Sequence, residues 1–179
     1  MEKKENKYSK YGINEKDLEY LDESMAYLLK NEMKKEKPNS KIIDAFKKYI
    51  EINKFLEIWL ASYKAYTVNT DTLNFLWSRL ENIPSNSPEY NILMKILELD
   101  TKIKIWLASF FSYENKFIIL LKNEDIDSAI KIMNKLEVES LIGKKLFYEF
   151  DQKTKEYKNL MLISSEKTDE EKDYFNYIE

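Results

Sequence analysis

The sequence predicts an all-α fold. It reads as two αα-hairpin repeats, each a long helix plus a short one, offset by about 47 residues and flanked by N- and C-terminal helices as a superhelical bundle. Three observations lead there. Two glycines and three prolines among 179 residues are too few for the reversals of a sheet-rich chain. Apolar residues recur in alternating steps of three and four over two long stretches, the spacing that keeps one helix stripe against a neighbour. The pentapeptide Ile-Trp-Leu-Ala-Ser is also written twice, at 58–62 and 105–109.

The first helix is expected to start near Asn14, an N-cap with Asp17 three residues on. Leu18, Leu21, Met25, Leu28 and Leu29 share its apolar face, and Pro38 ends it. A second, long helix opens after Asn39 and Ser40. Ile42, Ala45, Tyr49, Ile52, Leu56, Trp59, Tyr63 and Tyr66 form its heptad seam. A shorter third helix carries Leu73, Leu76, Leu80 and Ile83 before Pro84. Ser87 then caps a fourth helix with Pro88 at its first position, where a missing N–H does no harm.

The fourth seam runs Ile92, Ile96, Leu99, Ile103, Trp106, Phe110, Tyr113, Phe117 and Leu120. After "KNEDID", a fifth helix presents Ile126, Ala129, Met133 and Leu136. A sixth, with Gly143 near its start, presents Ile142, Leu146, Phe150, Tyr157 and Leu160. Residues 1–13 read as a flexible basic N-terminus, 14–163 as one helical domain, and 164–179 as an acidic tail. In that tail Thr168 and Glu171 are spaced as a capping box for a last short helix.

Sliding the chain by 47 places 41–68 on 88–115. Lys48 then meets Lys95, Glu51 meets Glu98, Tyr66 meets Tyr113, and apolar pairs fill the seam. With six extra residues in the second copy, Leu73, Leu76, Leu80 and Ile83 pair with Ile126, Ala129, Met133 and Leu136. This period lies at the upper end of HEAT and armadillo repeats. Five identical consecutive letters cover every side of a helix, so both pentapeptides are expected to be enclosed by several neighbours. Residues 120–137 resemble the turn and second helix of a tetratricopeptide unit, with Ala129 as its small residue. The likeness covers half a unit, has no 34-residue period, and implies no more than a helical hairpin.

Composition removes most catalytic chemistry. Without cysteine there is no disulfide or thiol nucleophile, and without histidine no Ser-His-Asp triad or zinc hydrolase site. Neither an enzyme nor a cofactor is expected. Arg79 is the sole arginine, placed as an ordinary surface charge, and the net charge of −3 exerts no overall pull on nucleic acid. No segment approaches a membrane span, and a cytoplasmic location is expected.

The function expected is a helical adaptor or scaffold that binds a protein partner or a second copy of itself. Trp77, Tyr174, Phe175 and Tyr177 are its candidate partner contacts, because aromatic residues dominate interface hot spots. A nucleic-acid-associated subunit is the alternative, with Lys34, Lys35 and Lys37 as phosphate contacts. A magnesium-dependent helical enzyme is the third reading. It would draw on Asp17, Glu19, Asp22 and Glu23, or on Glu114, Glu124, Asp125 and Asp127, which read first as solvated faces and helix starts.

Overall fold

The computed structural model describes the backbone of residues 8–67 and 70–175, with side chains over 8–63 and 74–162. It is all-helical, with no strand among the described residues. Two 3-10 helices (Ser9–Tyr11 and Glu15–Tyr20) precede α1 (Glu23–Lys34), α2 (Ser40–Thr67), α3 (Thr70–Glu81), α4 (Pro88–Lys122) and α5 (Ile126–Phe175). No helix among the described residues is long and apolar enough to cross a membrane.

The expected first helix is divided in two. Asp17 closes a capping box by accepting from the Asn14 backbone N–H at 2.7 Å, but the turn it starts is the second 3-10 helix. Leu21 is extended, and Asp22 then caps α1 by accepting from Met25 N at 2.7 Å. A second capping acid within eight residues of the first restarts the helix, because each carboxylate offers the local N–H groups an alternative partner. At the other end of α1, buried Glu32 accepts from Asn39 N at 2.7 Å and from Lys35 Nζ at 2.6 Å. That carboxylate stitches the α1–α2 connection around Pro38.

Helices α2 and α4 follow their seams. Ile42, Ala45, Tyr49, Ile52, Leu56 and Tyr63 are buried, as are Ile92, Ile96, Leu99, Ile103, Trp106, Phe110 and Phe117. Trp59, Tyr113 and Leu120 of the same seams are half-buried. Tyr66 and Leu73 lie outside the described side chains. Ser87 Oγ accepts from Tyr90 N at 3.1 Å and caps α4 beside Pro88. The pentapeptides do not behave as expected. Ile58 and Ile105 are 70% and 67% exposed, and Trp59 is half-buried where Trp106 is buried. Neither segment is enclosed all round, because the seam claims one stripe of each helix and leaves the opposite one to solvent.

The expected fifth and sixth helices are one, α5, which also passes without a break through Thr168 and Glu171. Its buried stripe runs Ala129, Met133, Leu136, Ser140, Gly143, Phe147, Phe150, Thr154 and Tyr157 in strict steps of four and three. Ile142, expected on the apolar side, is exposed. Gly143 sits in the middle of this helix for a packing reason: a Cβ there would lie 2.3 Å from Cζ2 of Trp106. The indole lies across the bare backbone and donates from Nε1 to Glu139 O at 2.8 Å.

The chain divides into two compact units. The first comprises residues 1–62 and 106–143, the second residues 63–105 and 144–179. Phe117 centres the first, edge-on to Phe46 and tilted against Tyr49. In the second, Tyr63 meets Phe147 and Phe150 edge-on at 5.8 and 5.3 Å. Its hydroxyl donates to buried Asp100 at 2.5 Å, and Lys104 donates to the other carboxylate oxygen at 2.7 Å.

The α4–α5 turn carries a residue under strain. Asp125 N donates to Leu120 O and Glu124 N to Leu121 O, the pair of bonds of a Schellman closure. Its left-handed position is held by Glu124 at φ 58°, where glycine is the usual occupant. Glu124→Gly is expected to raise stability by about 0.5–1 kcal/mol, since relief of the left-handed conformation outweighs the added chain entropy. Urea unfolding checks it, and a lower midpoint would mean that the Glu124 side chain contributes a stabilising contact.

Candidate functional site

A surface groove of the first unit lies where α2 and α5 begin. Lys41, Asp44, Ala45 and Lys48 occupy one face of α2 at helical spacing. Asp127, Ile130, Lys131 and Asn134 do the same on α5. Between them is a groove of about 560 Å³. Its floor is buried Ala45 and Met133 with half-buried Ile130, and the small Ala45 gives it depth. Lys48 reaches Glu137 at 2.8 Å and joins the two helices at one end. Asp44 pairs with Lys47 at 3.3 Å, and the ammonium groups of Lys41 and Lys131 stand at the rim in no described ion pair. An apolar floor with a few charged groups above it suits an apolar side chain flanked by carboxylates.

A second groove, of about 340 Å³, opens between the second 3-10 helix, α2 and α4. Asn53 Nδ2 donates to Tyr20 O at 2.9 Å and Lys54 meets Asp17 at 2.9 Å, so the 3-10 helix is tied to α2. Leu56, Leu60 and Phe111 form its apolar surface. Glu19, Asp22, Glu57 and Glu114 surround it. Tyr49 donates its hydroxyl to Glu114. Burial raises the Glu114 carboxyl above its ordinary range, the Tyr49 bond pulls it back, and the charge of Asp22 adds to the rise. Burial, reinforced by Glu114, likewise pushes the Tyr49 phenol up.

These shifts set a pH dependence. At a pH between the ordinary and the raised value, the folded chain retains a proton on Glu114 that the unfolded chain has already released. Stability attributable to this group therefore falls as pH rises from the unfolded value through the raised folded one. Glu114→Gln keeps an acceptor for Tyr49 and is expected to remove that fall. Urea midpoints across pH should run close together in acid and separate in the variant's favour towards neutrality. Parallel curves would mean that Glu114 titrates normally.

The lysines predicted to contact phosphate are not gathered. Lys34 shares a small crevice with Lys10 and Lys30, whereas Lys35 is held by Glu32 on another side of α1, and Lys37 is exposed in the connection. Trp77 is 51% exposed, and Phe75, which the sequence reading passed over, is exposed too. Two positions apart, they point about 200° from each other around α3 and form no shared patch. Tyr174 and Phe175 end α5 with their side chains outside the description, and Tyr177 lies outside the described residues.

The acids chosen from sequence take several roles. Asp22 caps α1, Asp125 caps α5 by accepting from Ser128 N at 3.2 Å, and Asp17 serves the 3-10 helix. Among the described residues no three acids are placed to hold a metal ion. Arg79, expected as an ordinary surface charge, lies at the surface and is paired there. Its guanidinium grips Glu89 through Nε at 2.7 Å and a terminal nitrogen at 3.3 Å, bridging the end of α3 to the start of α4 beside Tyr157. Opposite charges either side of a short loop were the available signal. No protein-family model, curated protein or solved structure matches this chain.

Proposed function

We propose that this protein is a non-catalytic helical adaptor or scaffold, built as two αα-hairpin repeats, the second of which runs on into the C-terminal helix as α5, and acting through protein contact. The observation that carries the reading is the α2–α5 groove. It offers an apolar floor for one side chain of a partner and, beside it, Lys41 and Lys131, in no described ion pair, for that partner's carboxylates. The absence of cysteine and histidine supports a role without chemistry. Duplication is supported by the helix starts, since the 47-residue shift carries Ser40, where α2 opens, onto Ser87, the cap of α4.

Immobilised protein should retain a defined protein from nuclease-treated native lysate. Ile130→Asp combined with Lys131→Glu should lose it, while Glu81→Lys, on α3, keeps it. Equal retention by both variants, or none by the native chain, refutes the reading. Light scattering on the same samples identifies a second copy as the partner if a dimer is present and the groove variant dissociates it.

The nucleic-acid reading has one observation in its favour, the convergence of Lys10, Lys30 and Lys34. It expects binding that weakens steeply with salt and with Lys34→Glu. Binding independent of either would dismiss it.

A further inference from the structure

We infer that the groove between the second 3-10 helix, α2 and α4 is a docking site for a basic amphipathic helix, a partner segment carrying lysine or arginine beside bulky apolar side chains. The inference rests on the scaffold reading and assigns a second surface of the first unit to a partner of opposite charge.

Three features choose this occupant. The surface is apolar, and Phe111 on α4 remains 43% exposed there beside Leu60, an aromatic ring left in water where a partner would cover it. Its lining carries charge of a single sign, with Glu19, Asp22, Glu57 and Glu114 and no basic residue, and the nearby Lys54 is already paired with Asp17 and Glu51. An acidic or neutral partner would strand those carboxylates in a drying interface, whereas lysine or arginine satisfies them. Finally, Glu114 is a half-buried carboxylate whose described hydrogen bond comes from a neutral phenol, Tyr49, with Asp22 adding repulsion. A cation arriving there meets an acceptor whose desolvation folding has already imposed. The ties from Asn53 to Tyr20 and from Lys54 to Asp17 hold the groove's wall in place before binding.

A short amphipathic helix fits the geometry. Leu56 and Leu60 stand one turn apart on α2, matching apolar side chains one turn apart on a partner laid alongside.

The test is fluorescence anisotropy at physiological salt on the full chain. The probes are a 16-residue peptide with leucines on one helical face and lysines on the other, and the same peptide with glutamate for lysine. The basic peptide is expected to bind at least tenfold more tightly. Glu57→Lys should weaken it tenfold or more and Phe111→Ala about fivefold, with far-UV circular dichroism confirming that each variant is folded. Glu81→Lys makes the same change in net charge on α3 and should leave affinity within twofold. Equal losses from Glu57→Lys and Glu81→Lys would mean diffuse attraction and overturn the inference. Absence of binding, or equal binding of the acidic peptide, would overturn it as well. Neither result touches partner capture through Ile130 and Lys131, so the two readings fail separately.

Discussion

Gly143→Ala is expected to destabilise the protein by roughly 2–4 kcal/mol, from a single added methyl group. At an ordinary helix position the same change stabilises by about 1 kcal/mol, so even the sign is diagnostic. The new carbon would lie 2.3, 2.6 and 2.7 Å from three ring atoms of Trp106, deep inside contact distance. Neither partner can retreat easily. The backbone belongs to an unbroken helix, and the indole is held by its bond to Glu139 O and by the Phe110 ring, 5.3 Å away. Urea unfolding followed by circular dichroism measures the loss. Trp106→Leu makes room at the expense of a cavity, so the double variant should be more stable than the two separate losses predict, by more than 1 kcal/mol. An unchanged or raised midpoint for Gly143→Ala would show that the indole does not cover this glycine.

The second large effect is expected at Tyr63. Tyr63→Ala should cost about 4 kcal/mol, because it removes a ring held edge-on by Phe147 and Phe150 and also strips a donor from a buried carboxylate. Tyr63→Phe separates the two contributions. It keeps the ring and leaves Asp100 with Lys104 as its described side-chain donor, at an expected cost of about 2 kcal/mol. Burial, followed by the bond to Asp100, pushes the Tyr63 phenol well up, which favours the protonated hydroxyl that donates. A loss below about 0.5 kcal/mol for Tyr63→Phe, measured by the same unfolding experiment, would mean that water replaces the hydroxyl without penalty.

Where the buried stripe was written in large apolar letters, it was legible from sequence. Most described seam positions of α2 and α4 are buried as their periodicity predicts, and Ser87 caps where a serine before proline should. Helix α5 misled because three of its seam positions are Ser140, Gly143 and Thr154. Ser140 and Thr154 return their hydroxyls to Glu137 O and Asp151 O of the same helix and so bury without an outside partner, while Gly143 makes room for a ring. A search for apolar letters breaks at these positions, although the four-three spacing continues through them. The reading of α1 erred in the opposite sense, running a helix through Asp22, whose role as a second cap emerges once its carboxylate competes for Met25 N.

The grooves were less legible still. Asp22 and Glu114 lie 92 positions apart in the chain and act on one another only because the start of α1 and the middle of α4 meet at α2. Their residue types were noted, but their company could not be. For the same reason, Lys41 and Lys131 read as unrelated surface charges until two helix beginnings bring them to one rim.

The division of the chain has a consequence for how this protein can be cut and inherited. Each compact unit is assembled from two stretches of sequence, interrupted by a stretch of the other. No single cleavage releases either unit whole. A gene fragment ending after Gly143 would keep all of the first unit yet still encode an orphaned portion of the second, 63–105, in the middle of its product. Recombination cannot trade one unit as a single contiguous cassette, and a nick within α2, α4 or α5 is a lesion in a helix that contributes residues to both units.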